Sequence, residues 1–330
     1  MTRIGILGAG TWGTALAKHL CQNGHAVTLW SALPSELEQI RLTHRHPKLP
    51  DAWIPEGIQL TADISSACEE ADVVVFAVPS VFMRSVAERA KPHLLPDTIL
   101  VSVAKGIEPK TFLTMTDILT DVLSPVPYRV VALSGPTHAE EVSIDLPTTI
   151  VSASRDIEAA ETIQRIFSSE TLRTYTNSDI EGVELCGAMK NIIALAAGVS
   201  DGIGYGDNAK AALITRGMAE IARLGRAMGC DERTFYGLAG VGDLIVTATS
   251  RHSRNNRAGY LLGKGLSVEE AIQEVGMVVE GINALPAAMG LSERYQVELP
   301  ITFGVWDIVK NGADPKEIVF KLMNREFKTE

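Results

Sequence analysis

The chain has 330 residues, 46% hydrophobic and 21% charged; it is too long for one small core and lacks the charge excess of a disordered chain. A formal net charge of −10 excludes the broad cationic face that a nucleic-acid partner needs. No uninterrupted apolar run reaches the ~18 residues of a membrane span, so no stable membrane insertion is expected.

Taken in chain order, the first half alternates short β-branched runs with helical patterns, which predicts βαβ units and a mostly parallel, doubly wound sheet. Strands are expected at residues 3–7, 26–30, 58–60, 72–78, 98–103, 128–133, 148–152 and 172–175. From about Asp179 onward the strand signals stop, and stretches rich in Ala, Leu, Met and Glu, broken at Gly and Pro, predict an all-α second half. The expected division is residues 1–180 for an α/β domain and 181–330 for the helical one.

The first strand runs directly into Gly8-Ala9-Gly10-Thr11-Trp12-Gly13, a G-x-G-x-x-G loop that opens a helix. That context points to dinucleotide binding: Gly8 permits the turn, Gly10 admits a pyrophosphate, and Gly13 lets the helix pack on the strand. Residues 1–180 are therefore the expected dinucleotide-binding domain, and 181–330 the substrate and catalytic domain. Where the second strand ends, Leu29-Trp30-Ser31-Ala32 offers no acid to an adenosine 2′-hydroxyl. Ser31 carries no charge to repel a 2′-phosphate, so the cofactor is NADP or NAD with NADPH favoured; the plain alternative is that Ser31 is a solvated turn residue.

Ligands of open α/β sheets bind beyond the carboxyl ends of the strands. The segments there are Pro79-Ser80, then Ala104-Lys105-Gly106, then Ser134-Gly135-Pro136-Thr137-His138-Ala139. Lys105 is placed as a ligand-facing cation rather than a surface lysine. His138 is read as a capping or packing residue and is given no chemical role.

In the second half Lys190 lies between small and apolar residues, where burial disfavours an ammonium and suits a general base. A lysine reaching from the helix edge to water explains the same spacing equally well. The glycine-broken segment at 237–242 exposes Asp243, either to orient a lysine or to cap the next helix. Arg251, Arg254 and Arg257 fall within seven residues, with Ser253 and Asn255 among them and no acid between Thr247 and Ser267. Arginine forks bind phosphate oxygens bidentately, so this is a candidate phosphate site. Cys21, Cys68, Cys186 and Cys230 lie far apart with no metal-ligand spacing, and the N-terminus starts on a strand with no secretory leader pattern. Free thiols, no metal and a cytoplasmic location are expected.

These motifs, with Gly187 to Asn191, Gly240 to Asp243 and Gly276 to Gly281, resemble the bacterial NAD(P)-dependent glycerol-3-phosphate dehydrogenases in order along nearly the whole chain. The resemblance implies a Rossmann-type N-terminal domain and a 6-phosphogluconate-dehydrogenase-like helical domain. It also implies interconversion of sn-glycerol 3-phosphate and dihydroxyacetone phosphate, a supply of glycerol 3-phosphate for phospholipid synthesis, and a homodimer through the helical half. Residue by residue, it implies Lys190 as the proton acceptor, with Lys105 and Asp243 lining the same pocket. Gly135, Thr137, Ser253, Arg254 and Asn255 would contact substrate. Thr11, Trp12, Ser31, Lys105, Ala139, Arg254, Val278 and Glu280 would contact the dinucleotide. The chain departs from the family twice: the family commonly has Arg or His at Ser31, and Ser-Phe where Thr137-His138 stands. Competing readings are a 3-hydroxyacid or 6-phosphogluconate-type dehydrogenase and a non-catalytic dinucleotide sensor; the sensor has no reason to keep Lys105, Lys190 and Asp243 together.

Overall fold

A computed structural model describes residues 1–327 and divides the chain into two compact units. The first is Met1–Lys105 with Leu113–Glu184, the second Gly106–Phe112 with Leu185–Glu330. Beside the expected ranges of 1–180 and 181–330, the second unit takes in the short segment after Lys105, and the boundary on the chain falls between Glu184 and Leu185. That segment groups with the helical unit because Ile107 and Phe112 belong to that unit's apolar core.

The first unit holds an eight-stranded sheet in the order β3-β2-β1-β4-β5-β6-β7-β8. The strands are β1 Arg3–Leu7, β2 Ala26–Trp30, β3 Gln59–Thr61, β4 Val73–Phe76, β5 Ile99–Ser102, β6 Arg129–Ser134, β7 Thr148–Ala153 and β8 Leu172–Asn177. Each predicted strand is present, most of them shifted or trimmed by a residue or two. Every pair is parallel except β6 with β7, where Leu133 lies opposite Ser152. The helices of this unit are α1 Thr11–Gln22, α2 Pro34–Thr43, α3 Ile64–Cys68, α4 Met83–Ala90, α5 Met115–Leu123, α6 Ala139–Val142 and α7 Ile157–Phe167.

Successive strand residues point to opposite faces, and both faces are buried here. Ile4, Ile6, Val73 and Val75 enter one apolar cluster, while Leu7, Val74 and Phe76 enter another. Burial on both sides is why these strands read as continuous apolar runs. Strand order reverses between β1 and β4, which puts the ligand crevice of this sheet at the carboxyl ends of those two strands.

Helix α8, Ile180–Ile203, crosses the boundary between the units. It is long and apolar enough to span a membrane, but its most apolar 18-residue stretch is buried within the protein, so its composition is that of a core helix. The remaining helices are α9 Asp207–Met228, α10 Glu232–Phe235, α11 Asp243–Thr249, α12 Arg254–Gly263, α13 Val268–Val275, α14 Glu280–Tyr295, α15 Pro300–Asn311 and α16 Pro315–Met323. No strand follows β8 among the described residues, as expected of an all-α half.

Within the second unit, α8 and α12 touch backbone to backbone. A Cβ on Gly198 would come within 2.0 Å of the Asn256 carbonyl oxygen, and one on Gly259 within 2.0 Å of that of Leu195. Gly202 and Gly263 repeat the arrangement one turn on. Two Gly-x-x-x-Gly faces therefore set the helix spacing, and with it the position of the α12 N-terminus beside the middle of α8.

Inside the first unit, Glu184 on α8 accepts hydrogen bonds from the Thr116 amide, at 2.9 Å, and the Thr116 hydroxyl, in the first turn of α5. Burial lifts its carboxyl to about 7, against the pull of those hydrogen bonds. The folded state then holds a proton that the unfolded chain has already lost, so stability falls as pH rises from about 4.5 to about 7. Glu184→Gln is expected to remove this slope, so that thermal melts at pH 5 and pH 8 favour the variant progressively with pH. A stability difference that stays constant across that range would refute the assignment.

Candidate active site

Helix α1 begins at the crevice. Gly8 has φ +125°, a conformation that disfavours a side chain, and a Cβ on Gly13 would stand 1.9 Å from the Gly8 carbonyl oxygen. At Gly10 a Cβ would meet nothing within 4 Å, so the loop's outer surface is open beside the first amides of α1. The α1 N-cap, Gly10, makes no side-chain capping bond, which leaves amides of Thr11 to Gly13 to an anionic ligand. Closed inside and open outside, this loop fits the pyrophosphate of a dinucleotide. Trp12 is half-buried against Ala15, Leu49, Ala52, Ala139 and Val142, so Trp12 and Ala139 meet in one apolar patch flanking the loop.

Ser31 is not a solvated turn residue; it is 3% exposed. Its hydroxyl donates to Glu36 Oε2 at 2.8 Å and accepts from the Leu33 amide at 3.1 Å. An acid absent from the strand end in sequence is thus delivered there by the first turn of α2.

Elsewhere in the first unit, Lys105 follows β5 and donates through Nζ to the Gly135 carbonyl at 3.1 Å, and Thr137 Oγ1 donates to the same oxygen at 3.2 Å. Gly135 itself has φ +154°. Lys105, Gly135 and Thr137, three of the expected substrate contacts, are therefore brought together. His138 is the N-cap residue of α6, without a side-chain capping bond.

In the second unit Lys190 is 4% exposed and Asp243 1%. The Lys190 ammonium donates to Asp243 Oδ1, forming a buried ion pair, and to Thr247 Oγ1 at 2.6 Å. Thr247 Oγ1 donates in turn to the Asp243 carbonyl at 2.6 Å. Lys190 does not reach out to water, and Asp243, one residue past the Gly242 N-cap of α11, serves the lysine rather than the helix end. A π-helical turn, Leu238–Gly242, aims it; such turns often mark functional sites. Burial of the ammonium is balanced by the carboxylate placed directly against it. Thr247 was missed, although its spacing of four from Asp243 puts it on the same helix face.

At the start of α12, the Ser253 hydroxyl caps the helix by accepting from the Asn256 amide at 3.2 Å. Asn255 is largely engaged with protein: Oδ1 accepts from the Gly281 amide at 2.8 Å, and Nδ2 donates to Asn191 Oδ1 at 2.9 Å. Asn191 donates to the Gly187 carbonyl at 3.1 Å. Asn255 therefore ties α12 to α8 and α14, with one amide hydrogen left for a ligand. Arg254 is exposed and lies 3.4 Å from the Val278 carbonyl, just ahead of Glu280, the first residue of α14. Of the residues assigned to ligands in this unit, Arg254 is the exposed guanidinium that a phosphate can approach.

A doubly wound sheet with a glycine cradle at its switch point, followed by a helical unit with a buried lysine–aspartate pair, defines the class of two-domain dehydrogenases. Two family profiles match the chain, the NAD-dependent glycerol-3-phosphate dehydrogenase N-terminus over residues 3–160 and its C-terminus over residues 179–320. A glycerol-3-phosphate dehydrogenase, NAD(P)+, of Lactobacillus delbrueckii subsp. bulgaricus is 57% identical over 100% of this chain and 99% of that protein. Its counterpart in a Thermoanaerobacter species is 50% identical over 99% of this chain and 98% of that protein. The crystal structure of glycerol-3-phosphate dehydrogenase from Coxiella burnetii is 36% identical, with a TM-score of 0.94 over 98% of this chain and 99% of that one. The chain belongs to the NAD-dependent glycerol-3-phosphate dehydrogenase family.

Asp243→Asn keeps the shape and removes the carboxylate charge beside the buried Lys190 ammonium. We expect a loss of roughly 3–5 kcal/mol in unfolding free energy together with loss of turnover. Denaturant titration at pH 7 measures the first, and an unchanged midpoint would contradict the pairing.

Proposed function

We infer that the chain is an NAD(P)-dependent oxidoreductase that interconverts sn-glycerol 3-phosphate and dihydroxyacetone phosphate. The buried Lys190–Asp243–Thr247 cluster carries this reading. When bound, the dinucleotide supplies the hydride that C2 gains in reduction, or takes it in oxidation.

The remaining steps belong to the chain's own groups. In reduction, the Lys190 ammonium donates a proton to the C2 oxygen; in oxidation, the amine takes it back. Asp243 holds that ammonium in one orientation, and Thr247 fixes it from a second side. Arg254 and the first amides of α12 suit the phosphate end of the substrate, and Ser253 keeps that helix end capped. Asn255 holds α12 in place and has one amide hydrogen to offer. In the first unit, Lys105, Gly135 and Thr137 are the proposed substrate contacts, with Lys105 also serving to offset developing negative charge. The loop of Gly8, Gly10, Thr11, Trp12 and Gly13 holds the dinucleotide; Ser31 and Ala139 lie beside it, and Val278 and Glu280 accompany Arg254 on the other unit.

Its product in the reducing direction is the backbone of glycerophospholipids, which supports a role in lipid synthesis. Four free cysteines suit the reducing cytoplasm. A homodimer is the family-based expectation, and sedimentation equilibrium tests it.

Lys190→Ala is expected to lower kcat by roughly 100- to 10,000-fold while NADH still binds with wild-type affinity. Near-normal oxidation of NADH or NADPH driven by dihydroxyacetone phosphate in that variant would overturn the assignment. Arg254→Ala removes a charge-assisted contact and is expected to raise KM for dihydroxyacetone phosphate at least ~10-fold. A KM equal to that of the wild type would remove Arg254 from the phosphate site.

A further inference from the structure

The carboxyl end of β2 carries a device that the sequence of the strand does not contain. Ser31 is buried, and its hydroxyl proton goes to Glu36 Oε2. The bond uses one carboxylate oxygen and leaves Oε1 lone pairs for another donor. The strand end and the glycine loop are one piece, because the Gly8 amide donates to the Trp30 carbonyl at 2.9 Å. His46 lies against the same loop: it is hydrogen-bonded to the Ala9 backbone and accepts at Nδ1 from the Lys48 amide at 3.1 Å. Burial holds this imidazole below its ordinary value, while Glu36 pulls it upward. In a sheet of this order, the neighbourhood beside the glycine loop, on the β2 side of β1, receives the adenosine ribose.

We propose that Glu36, steadied by Ser31, is the residue that selects between the two nicotinamide dinucleotides. Its carboxylate accepts a hydrogen bond from a ribose 2′-hydroxyl and repels a 2′-phosphate, so the chain prefers NADH to NADPH. The proposal rests on the dinucleotide-binding reading above and deepens it. A preference for NADPH drawn from an uncharged strand end loses its premise once the first turn of α2 supplies the charge.

Neighbouring cations do not offset it. Arg41 donates to Glu38 at 2.8 Å, and Arg45 is bound to the Pro50 carbonyl with its guanidinium 6.0 Å from the Trp53 ring centroid. Arg89 is stacked over the Trp30 ring, its guanidinium 5.0 Å from the centroid, and Lys48, a cation that acts on His46, is a rival for a 2′-phosphate.

Titration calorimetry of the full chain with NADH and with NADPH, without substrate, tests the proposal; steady-state rates with each coenzyme and dihydroxyacetone phosphate form a second arm. The wild type is expected to bind NADH at least ~10-fold more tightly than NADPH, a difference of about 1.4 kcal/mol. Glu36→Gln, which keeps a partner for Ser31, is expected to tighten NADPH about 10-fold and weaken NADH several-fold. Glu36→Asp, which keeps the charge, is expected to retain most of the discrimination. Equal binding of the two coenzymes by the wild type, or a ratio unmoved in Glu36→Gln, overturns the proposal. So does a wild-type preference for NADPH that Lys48→Ala abolishes. Selective binding without turnover would count against the proposed reaction and leave the role of Glu36 standing, whereas binding of neither coenzyme would sink both.

Discussion

A lysine ammonium withdrawn from water is intolerable without a partner, and much of the second unit meets that constraint at Lys190. Asp243 supplies the charge and Thr247 a second acceptor. Delivering Asp243 requires the chain to leave α-helical geometry for one π-turn. That turn can lie against its neighbours because a Cβ on Gly240 would stand 2.1 Å from the Phe235 carbonyl oxygen, a space only glycine leaves free. The ammonium form, which the proposed reaction would use as proton donor, is also the form that is expensive to bury, so the proposed chemistry and the folding share a single interaction.

The other functional group of that unit is positioned by contact rather than charge. Gly198 and Gly202 on α8 meet Gly259 and Gly263 on α12, and the Asn191–Asn255–Gly281 chain of hydrogen bonds locks the upper end of the same helix pair. The start of α12, where Arg254 lies, therefore stands at a fixed point relative to Lys190, as the proposed contacts to reacting carbon and phosphate would require. In the first unit the same logic recurs in the glycine loop, where Gly8 and Gly13 close the turn tightly and Gly10 leaves its outside free.

Two residues show how a ligand-like side chain can serve the protein instead. Asn255 sits in an arginine-rich segment and reads as a phosphate ligand, yet its amide joins three helices. Ser31 reads as an open hydroxyl at a ribose site, yet it is buried and aims a carboxylate. Short polar side chains bond to whatever the fold brings near, so their type alone does not separate ligand from latch.

By itself, the sequence determined the alternation of strands and helices, the glycine cradle and the all-α second half. Each rests on local periodicity or on the backbone demands of one short segment, and both are written in consecutive residues. Lys190 and Asp243 were visible as candidates for the same reason: a charged residue stands out in an apolar or glycine-rich stretch. Only the tertiary structure decided that they pair, that Thr247 joins them, that the segment 106–112 belongs to the helical unit, and that Glu36 reaches the end of β2. These facts depend on distance between elements, which is set by how closely the helix and sheet faces pack. No local pattern encodes it.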